Sequence, residues 1–372
     1  MRVALVHDWL TGMRGGERCL EVFCELFPDA DLFTLLHVPG AVTPVIERRR
    51  VVTSFIQRMP DATRSYRRYL PLFPLAVSRF DLEGYDLILS SSHAVAKGVR
   101  VPTGALHVCY CFTPMRYVWD LYPDYFGDSA GRLTRAVMPP VAAALRRWDR
   151  RTASGVHHFV AISRFVADRI HRVYGRASDV IYPPVDVARF RIEEPTGDFY
   201  LVVSALTPYK RIDLAVEAAT RLGRRLLVVG SGPEARRLGA RAGGGVEFLG
   251  WRDDARVADL YARCRALIFP TVEDFGITPL EAMASGRPVI ALGQGGALET
   301  VVPPGSDDPP TGLFFAPQTS EALIEGIGAF EAAPGRFEPK QLRRRAEAFD
   351  RPLFKERVKA YLDARLAERG RC

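Results

Sequence analysis

The sequence predicts an α/β protein built from two doubly wound parallel-sheet domains. Its two halves open alike. Val3-Ala4-Leu5-Val6 is a short apolar strand followed by a polar, glycine-containing loop and a helical pattern through Cys19, Leu20 and Phe23. Tyr200-Leu201-Val202-Val203 repeats this, with Ser204 to Lys210 as the loop and a helix through Ile212, Leu214, Ala215 and Ala218. Short apolar runs without polar alternation, set between helical patterns, belong to parallel strands buried on both faces. A length of 372 residues also exceeds what one hydrophobic core usually serves.

Further strands in the first half are Asp86 to Leu89, Leu106 to Cys111 and His158 to Ile162. In the second half they are Leu226 to Val229, Val246 to Leu249, Ala266 to Phe269 and Pro288 to Ala291. The join falls near Ile181-Tyr182-Pro183-Pro184-Val185-Asp186, because paired prolines stop the preceding element and stiffen a connector. The expected division is therefore residues 1–183, 184–348 and a last helix over 349–372. That helix starts at Asp350 and Pro352 and repeats Phe354, Val358, Tyr361, Leu362 and Leu366 on one face. Such a face needs a surface to cover, and it is expected to return to the first domain.

Hydrophobic residues at 48% and charged residues at 25% are ordinary for a globular chain and exclude collagen-like and largely disordered classes. No apolar run approaches the ~18 residues that span a bilayer, and the first ten residues lack the long apolar core of a secretory signal. The expectation is a cytoplasmic chain, peripheral at the inner face of the membrane. The six cysteines have no paired metal-ligand spacing; Cys109 and Cys111 suit small buried hydrophobes. Lys and Arg exceed Asp and Glu by 51 to 43, and only five of the cations are lysines. The excess concentrates at 131–151, with six arginines and the single acid Asp149, and at 64–79, where Arg64, Arg67, Arg68 and Arg79 alternate with Tyr66, Tyr69, Leu70, Leu72 and Phe73. A solvated helix face is the plain reading; a surface for anionic head groups or phosphorylated lipid carriers is the sharper one. Nucleic acid is disfavoured, as no binding motif accompanies the charge.

The chemistry concentrates in Glu273-Asp-Phe-Gly-Ile-Thr-Pro-Leu-Glu281, directly after a strand. Thr278-Pro279-Leu280-Glu281 reads as a capping box with Thr278 as N-cap, so capping alone would account for Glu281. It leaves Glu273 and the flexible residues before the helix unexplained. A helix N-terminus presents amides to anions, and two carboxylates eight residues apart beside it suit a ligand with phosphate and several hydroxyls, such as a nucleotide sugar. In the first domain Gly12-Met-Arg-Gly15-Gly16-Glu-Arg18 puts consecutive glycines where backbone can approach a phosphate, although a glycine turn after a first strand is often only a turn. Lys210 and Arg211 are adjacent cations just past a predicted strand end, where ligands of open α/β sheets bind.

Over nearly its whole length the chain resembles the retaining glycosyltransferases of family 4, built on the GT-B fold: two Rossmann-like domains facing a central cleft. The resemblance is carried by GGERCLE near the start, SSSHAVAKGV from 90, HVCYCFTPMRYVWD at 107–120, IYPPVD at 181–186, SALTPYKRIDLAVEA at 204–218 and EDFGITPLEAMASGRPVIALGQGGALETV at 273–301. It implies a nucleoside diphosphate sugar as donor, held mostly by the second domain, and a saccharide or lipid-linked saccharide acceptor in cell-surface polysaccharide synthesis. Lys210, with Arg211, would neutralise the departing diphosphate. Glu273 and the backbone of Phe275, Gly276, Ile277 and Thr278 would hold sugar hydroxyls, Glu281 the ribose, and Gly15 and Gly16 the diphosphate. His93 is the first-domain candidate for a sugar contact, with Ser91 and Ser92 as neighbours that compete for the alignment. Mannose, from GDP-mannose, is favoured on overall similarity. No Asp-x-Asp or His/carboxylate cluster stands out, so no cofactor and no required metal are expected.

Two departures stand against the family pattern: Ala205 where Arg is common, and Phe112 where relatives carry His. They motivate a catalytically silent nucleotide-sugar binding protein as one alternative. Another is an NAD(P)-dependent oxidoreductase, from Leu226-Leu-Val-Val-Gly230-Ser-Gly232-Pro-Glu-Ala235 with Glu247 at ribose distance. That reading leaves Glu273 to Glu281 idle. A nucleotide-sugar epimerase of the same fold is disfavoured by the family 4 motifs.

Overall fold

A computed structural model describes residues 1–127, 131–194, 196–333 and 335–369. The chain divides into two compact units, Met1–Pro183 with Phe354–Cys372, and Pro184–Leu353. Each has its own all-parallel sheet.

In the first unit β1 (Val3–His7), β2 (Asp31–Thr34), β3 (Val51–Thr53), β4 (Leu87–Ser92), β5 (Leu106–Cys111), β6 (His158–Ala161) and β7 (Ser178–Val180) lie in the order β3-β2-β1-β4-β5-β6-β7. β1, β4 and β5 are buried along their whole length: apolar residues fill most positions, and the polar ones, His7, Ser90 to Ser92 and His107, are buried with them. The strand order reverses direction between β1 and β4, so their carboxyl ends open on the one place where a doubly wound sheet leaves a crevice. β2, β3 and β7 have no counterpart among the expected strands. They are three or four residues long, and β3 and β7 are only half-buried edges, so pairing defines them and no apolar run announces them.

The second unit repeats the plan with β8 (Phe199–Val203), β9 (Arg225–Val229), β10 (Val246–Gly250), β11 (Leu267–Phe269), β12 (Val289–Leu292) and β13 (Gly312–Phe315), ordered β10-β9-β8-β11-β12-β13. Its switch point lies between β8 and β11. Helix Ile212–Leu222 buries Ile212, Leu214, Ala215, Val216, Ala218 and Ala219 against this sheet and ends at Gly223, whose φ of 62° only glycine adopts without strain. β13 had no counterpart in the sequence reading.

The last helix runs Arg351–Arg369 and buries Phe354, Val358 and Leu362. Within the first unit Phe354 packs on Phe23 and Tyr110, and Lys355 pairs with Glu25 at 3.1 Å. The final three residues of the expected 349–372 segment lie outside the described residues. The arginine-rich stretch forms helix Arg132–Thr152, whose buried side is confined to Ala142, Leu145 and Asp149; Leu133 and Val137 in its first turns are exposed.

Candidate functional site

In the second unit the switch-point strands bring two of the expected residues together. β8 ends at Val203, and the segment after it closes with a short 3-10 turn, Pro208–Lys210. β11 ends at Phe269, and the segment after it carries Glu273. Lys210 Nζ and Glu273 Oε1 form an ion pair, both side chains being about one-sixth exposed at 16% and 15%. Because β8 and β11 are neighbours in the sheet, Lys210 and Glu273, 63 positions apart, share one carboxyl end.

The helix that follows is Ile277–Ala284, and its N-cap is Gly276 at φ 88°. This corrects the capping box. Thr278 sits inside the first turn, Pro279 follows it, and Glu281 lies deeper in the helix, where its Oε2 accepts the Tyr261 hydroxyl at 3.0 Å. The left-handed glycine turns the chain into the helix earlier than Thr278, and a glycine offers no side-chain cap to the first-turn amides. Of the expected Phe275–Thr278 contact, the amides of Ile277 and Thr278 fall in this first turn, while Phe275 and Gly276 precede it and Pro279 has no N–H to offer. Phe275 itself is buried against Phe349, ring centroids 5.8 Å apart.

Two glycines absent from the candidate residues seat this loop. Gly296 N donates to Glu273 O at 2.8 Å, and a Cβ on Gly296 would lie 2.3 Å from Phe275 Cα. A Cβ on Gly295, at φ 68°, would lie 2.6 Å from Glu273 O. Both glycines stand in the GQGGALETV run, whose consecutive glycines were the available signal.

Arg211 is separated from this pair by its own partner. It stands in the left-handed region at φ 51°, and its guanidinium pairs with Asp213 at 3.2 Å. Ala205 is exposed in the same post-β8 segment. The glycines of the dinucleotide-like run serve packing: a Cβ on Gly230 would meet Ser204 O at 1.8 Å, and one on Gly232 would meet Leu206 O at 2.3 Å. Glu247, the ribose candidate of that alternative, pairs with Arg225 at 3.1 Å. Neighbouring backbone accounts for both glycines, and a surface ion pair for the acid.

In the first unit helix Gly15–Leu26 begins at the two glycines. Glu17, buried in its first turn, accepts the Arg14 amide at 3.0 Å and faces His7 Nε2 at 3.8 Å. Burial raises the Glu17 pKa, but His7 outweighs it and holds the carboxyl below its usual range. A Cβ on Gly16 would touch the Phe112 ring at 3.3 Å and His7 at 3.6 Å, so Phe112 lies beside the glycine turn. His93 follows β4. Of its neighbours, Ser91 Oγ is taken by His7 Nδ1 at 2.8 Å and Ser92 Oγ accepts the Lys97 amide at 3.3 Å, while the His93 side chain is one-third exposed.

Sequence reading missed Asp8. It follows β1, is fully buried, and meets His93 Nδ1 at 3.1 Å. The available signal was a charged pair, His7-Asp8, placed at the end of an apolar strand. Among the described residues no group of three His, Cys, Asp or Glu side chains is arranged to hold a metal ion, and no helix is long and apolar enough to cross a membrane.

Comparison with known proteins matches residues 13–189 to the profile described as Glycosyltransferase Family 4 and residues 186–349 to Glycosyl transferases group 1. The O-antigen chain mannosyltransferase C of Escherichia coli is 32% identical over 182 residues, 46% of this chain and 47% of that protein. The glycogen synthase of Rhizobium tropici is 31% identical over 154 residues, 38% of this chain and 32% of that one. The chain thus spans about half or less of the curated relatives it matches. Among solved structures, sucrose-phosphate synthase from Thermosynechococcus elongatus superposes with a TM-score of 0.71 at 19% identity, covering 99% of this chain and 100% of its own. At such identity the likeness speaks for the fold alone.

Proposed function

Because the chain belongs to the family 4 glycosyltransferases, we propose that it moves a hexose from a nucleoside diphosphate sugar to a saccharide or lipid-linked saccharide, with retention of anomeric configuration. The observation that carries the reading is the Lys210–Glu273 pair at the second unit's switch point, beside the glycine-capped start of helix Ile277–Ala284. During transfer, positive charge develops on the sugar ring and negative charge on the leaving diphosphate. A fixed ammonium and helix amides oppose the negative charge without reorganising, which is the largest contribution a protein can make to such a step. Glu273, oriented by Lys210, is assigned to sugar hydroxyls, Glu281 to the ribose, and Phe275 to Thr278 to hydroxyls through backbone. Gly15, Gly16 and His93 are the first unit's assigned groups, and Arg211 supplements the cationic field. Lys210 takes the part a divalent ion would otherwise play, so turnover is expected to survive chelation by EDTA.

Mannose is favoured as the sugar and GDP-mannose as donor, supported by the resemblance to the E. coli mannosyltransferase. The acceptor is assigned to the inner membrane face, supported by exposed Leu133 and Val137 among the arginines of helix Arg132–Thr152 and by exposed Arg64, Arg67 and Arg68. Co-sedimentation with anionic but not neutral liposomes is expected, and no sedimentation with either would remove this assignment.

The deciding experiment screens a panel of nucleotide sugars for transfer and slow hydrolysis, then repeats the best donor with Lys210→Ala and Glu273→Ala. Each variant should keep its circular dichroism and lose about a hundredfold or more in turnover. Wild-type turnover in both would defeat the reading. Donor binding by the wild-type chain without transfer or hydrolysis would favour the silent binding protein that Ala205 and Phe112 motivate.

A further inference from the structure

The first unit has its own switch point, at the carboxyl ends of β1 and β4, and there a buried carboxylate organises everything around it. Asp8 Oδ2 accepts the amides of His93 at 2.7 Å and Ala94 at 2.9 Å, and Oδ1 accepts those of Val95 at 2.7 Å and Ala96 at 2.8 Å. His93 Nδ1 stands 3.1 Å from Oδ2 as the fifth contact. A buried charge with this many donors is stable as an anion. Burial alone would raise the Asp8 pKa, yet His93 and the amides carry it down to about 2. Asp8 therefore has no proton to give, and the proton between the two groups resides on Nδ1.

The ring is otherwise confined. The Trp9 indole meets it edge-on with centroids 4.5 Å apart and 84° between planes, and Phe112 lies 6.2 Å away. Among the described residues Nε2 of His93 has no hydrogen-bond partner, and the side chain is one-third exposed. The charged and titratable groups around the ring are Asp8 and His7 from β1 and its end, and Arg14 and Glu17 from the glycine turn and the helix after it. The half-buried Tyr117, from the segment after β5, lies near enough to feel the Asp8 charge. Burial pushes the His93 pKa down, but the Asp8 carboxylate, helped by Glu17 against Arg14, leaves it above the usual histidine value.

Resting on the assignment of His93 to the sugar, we propose that Asp8 is a positioning residue for transfer: it fixes the imidazole with Nδ1–H on its own carboxylate and presents Nε2–H to a hydroxyl or anionic oxygen of the bound nucleotide sugar. The same carboxylate gathers the 93–96 amides, so ring and turn are set by one group. A histidine held this way donates at a fixed point and loses no rotamer freedom on binding.

The test measures donor turnover against pH for wild type, Asp8→Asn, His93→Gln and the double variant, with circular dichroism as the folding control. Wild type should lose turnover as pH rises through the His93 pKa. Asp8→Asn should move that limb down by about one unit and lower kcat more than it changes donor KM. His93→Gln should abolish the limb at a cost of about a hundredfold, and the double variant should be no worse than His93→Gln. A folded Asp8→Asn with an unmoved limb, or losses that multiply in the double variant, would overturn the proposal. Nitrogen-15 NMR of the wild-type imidazole tests it without turnover and without any variant that must fold. Nδ1 should be protonated with a pKa above 6.5, and an Nε2–H tautomer below 6.5 would overturn it. Failure of every nucleotide sugar in the turnover assay would instead count against the transferase reading, leaving the NMR result to judge Asp8.

Discussion

Lys97 tests whether the turn that Asp8 gathers is also held from behind. Lys97 is 2% exposed, and its ammonium meets Asp149 Oδ1 at 2.9 Å, Asp149 O at 2.7 Å and Thr152 Oγ1 at 2.9 Å. Asp149 is fully buried and also accepts Trp119 Nε1 at 2.8 Å and the Tyr174 hydroxyl at 3.0 Å. The pair ties the segment after β4 to helix Arg132–Thr152. Breaking one side of a buried pair typically costs 3–5 kcal/mol, because the other charge is left uncompensated. With Asp149→Asn the ammonium keeps two oxygens and the face of Tyr174 at 4.8 Å, which places the cost near the lower end, about 3 kcal/mol. At roughly 2–4 °C per kcal/mol for a unit of this size, the melting temperature should fall by about 6–12 °C. Lys97→Met should cost about as much, since it strands the carboxylate. The double variant Lys97→Met with Asp149→Asn removes both charges and keeps an oxygen for Trp119 and Tyr174, so it should be less destabilised than the two single losses combined. Urea unfolding of all four chains measures this. A single variant within about 0.5 kcal/mol of wild type, or strict additivity in the double, would refute the reasoning.

Three further outcomes are expected. Gly296→Ala drives a methyl into Phe275 Cα and should cost donor turnover together with at least about 1 kcal/mol of stability, read by kinetics and urea unfolding. Tyr261→Phe removes the hydroxyl bound to Glu281, a hydrogen bond to a charged group worth about 1.5–3 kcal/mol, and should raise donor KM more than it lowers kcat. Asp8 has its pKa depressed in the fold from the usual 3.8 to about 2. Its contribution, about 2 kcal/mol, is therefore present above pH 4 and disappears as pH falls from about 4 to about 2. Acid unfolding of Asp8→Asn should be correspondingly shallower than that of wild type over that window.

What the sequence made legible follows from how each signal is encoded. The two sheets were readable because central parallel strands are buried on both faces and read as short, mostly apolar runs, as in residues 3–6 and 226–229. Ser178–Val180 was not, because a three-residue edge strand exists through its neighbour's hydrogen bonds, and its polar side chains leave no pattern to read. The 273–281 segment was recognisable as a motif, yet its helix start was misplaced. Thr-Pro-Leu-Glu satisfies the local capping rule, but the preceding glycine had already turned the chain at φ 88°, a backbone fact that residue types do not specify. Asp8 failed for a different reason. Its partners are amides more than eighty residues away, so nothing near it in sequence marks it except a charge where an apolar strand ends. Both switch points carry this arrangement: a carboxylate or cation from the loop after one strand meets its counterpart after the adjacent strand. Parallel crossovers separate the partners widely in sequence and return them to one sheet end. In such folds a polar residue just past a buried strand's carboxyl end is the signal to weigh, ahead of any local motif.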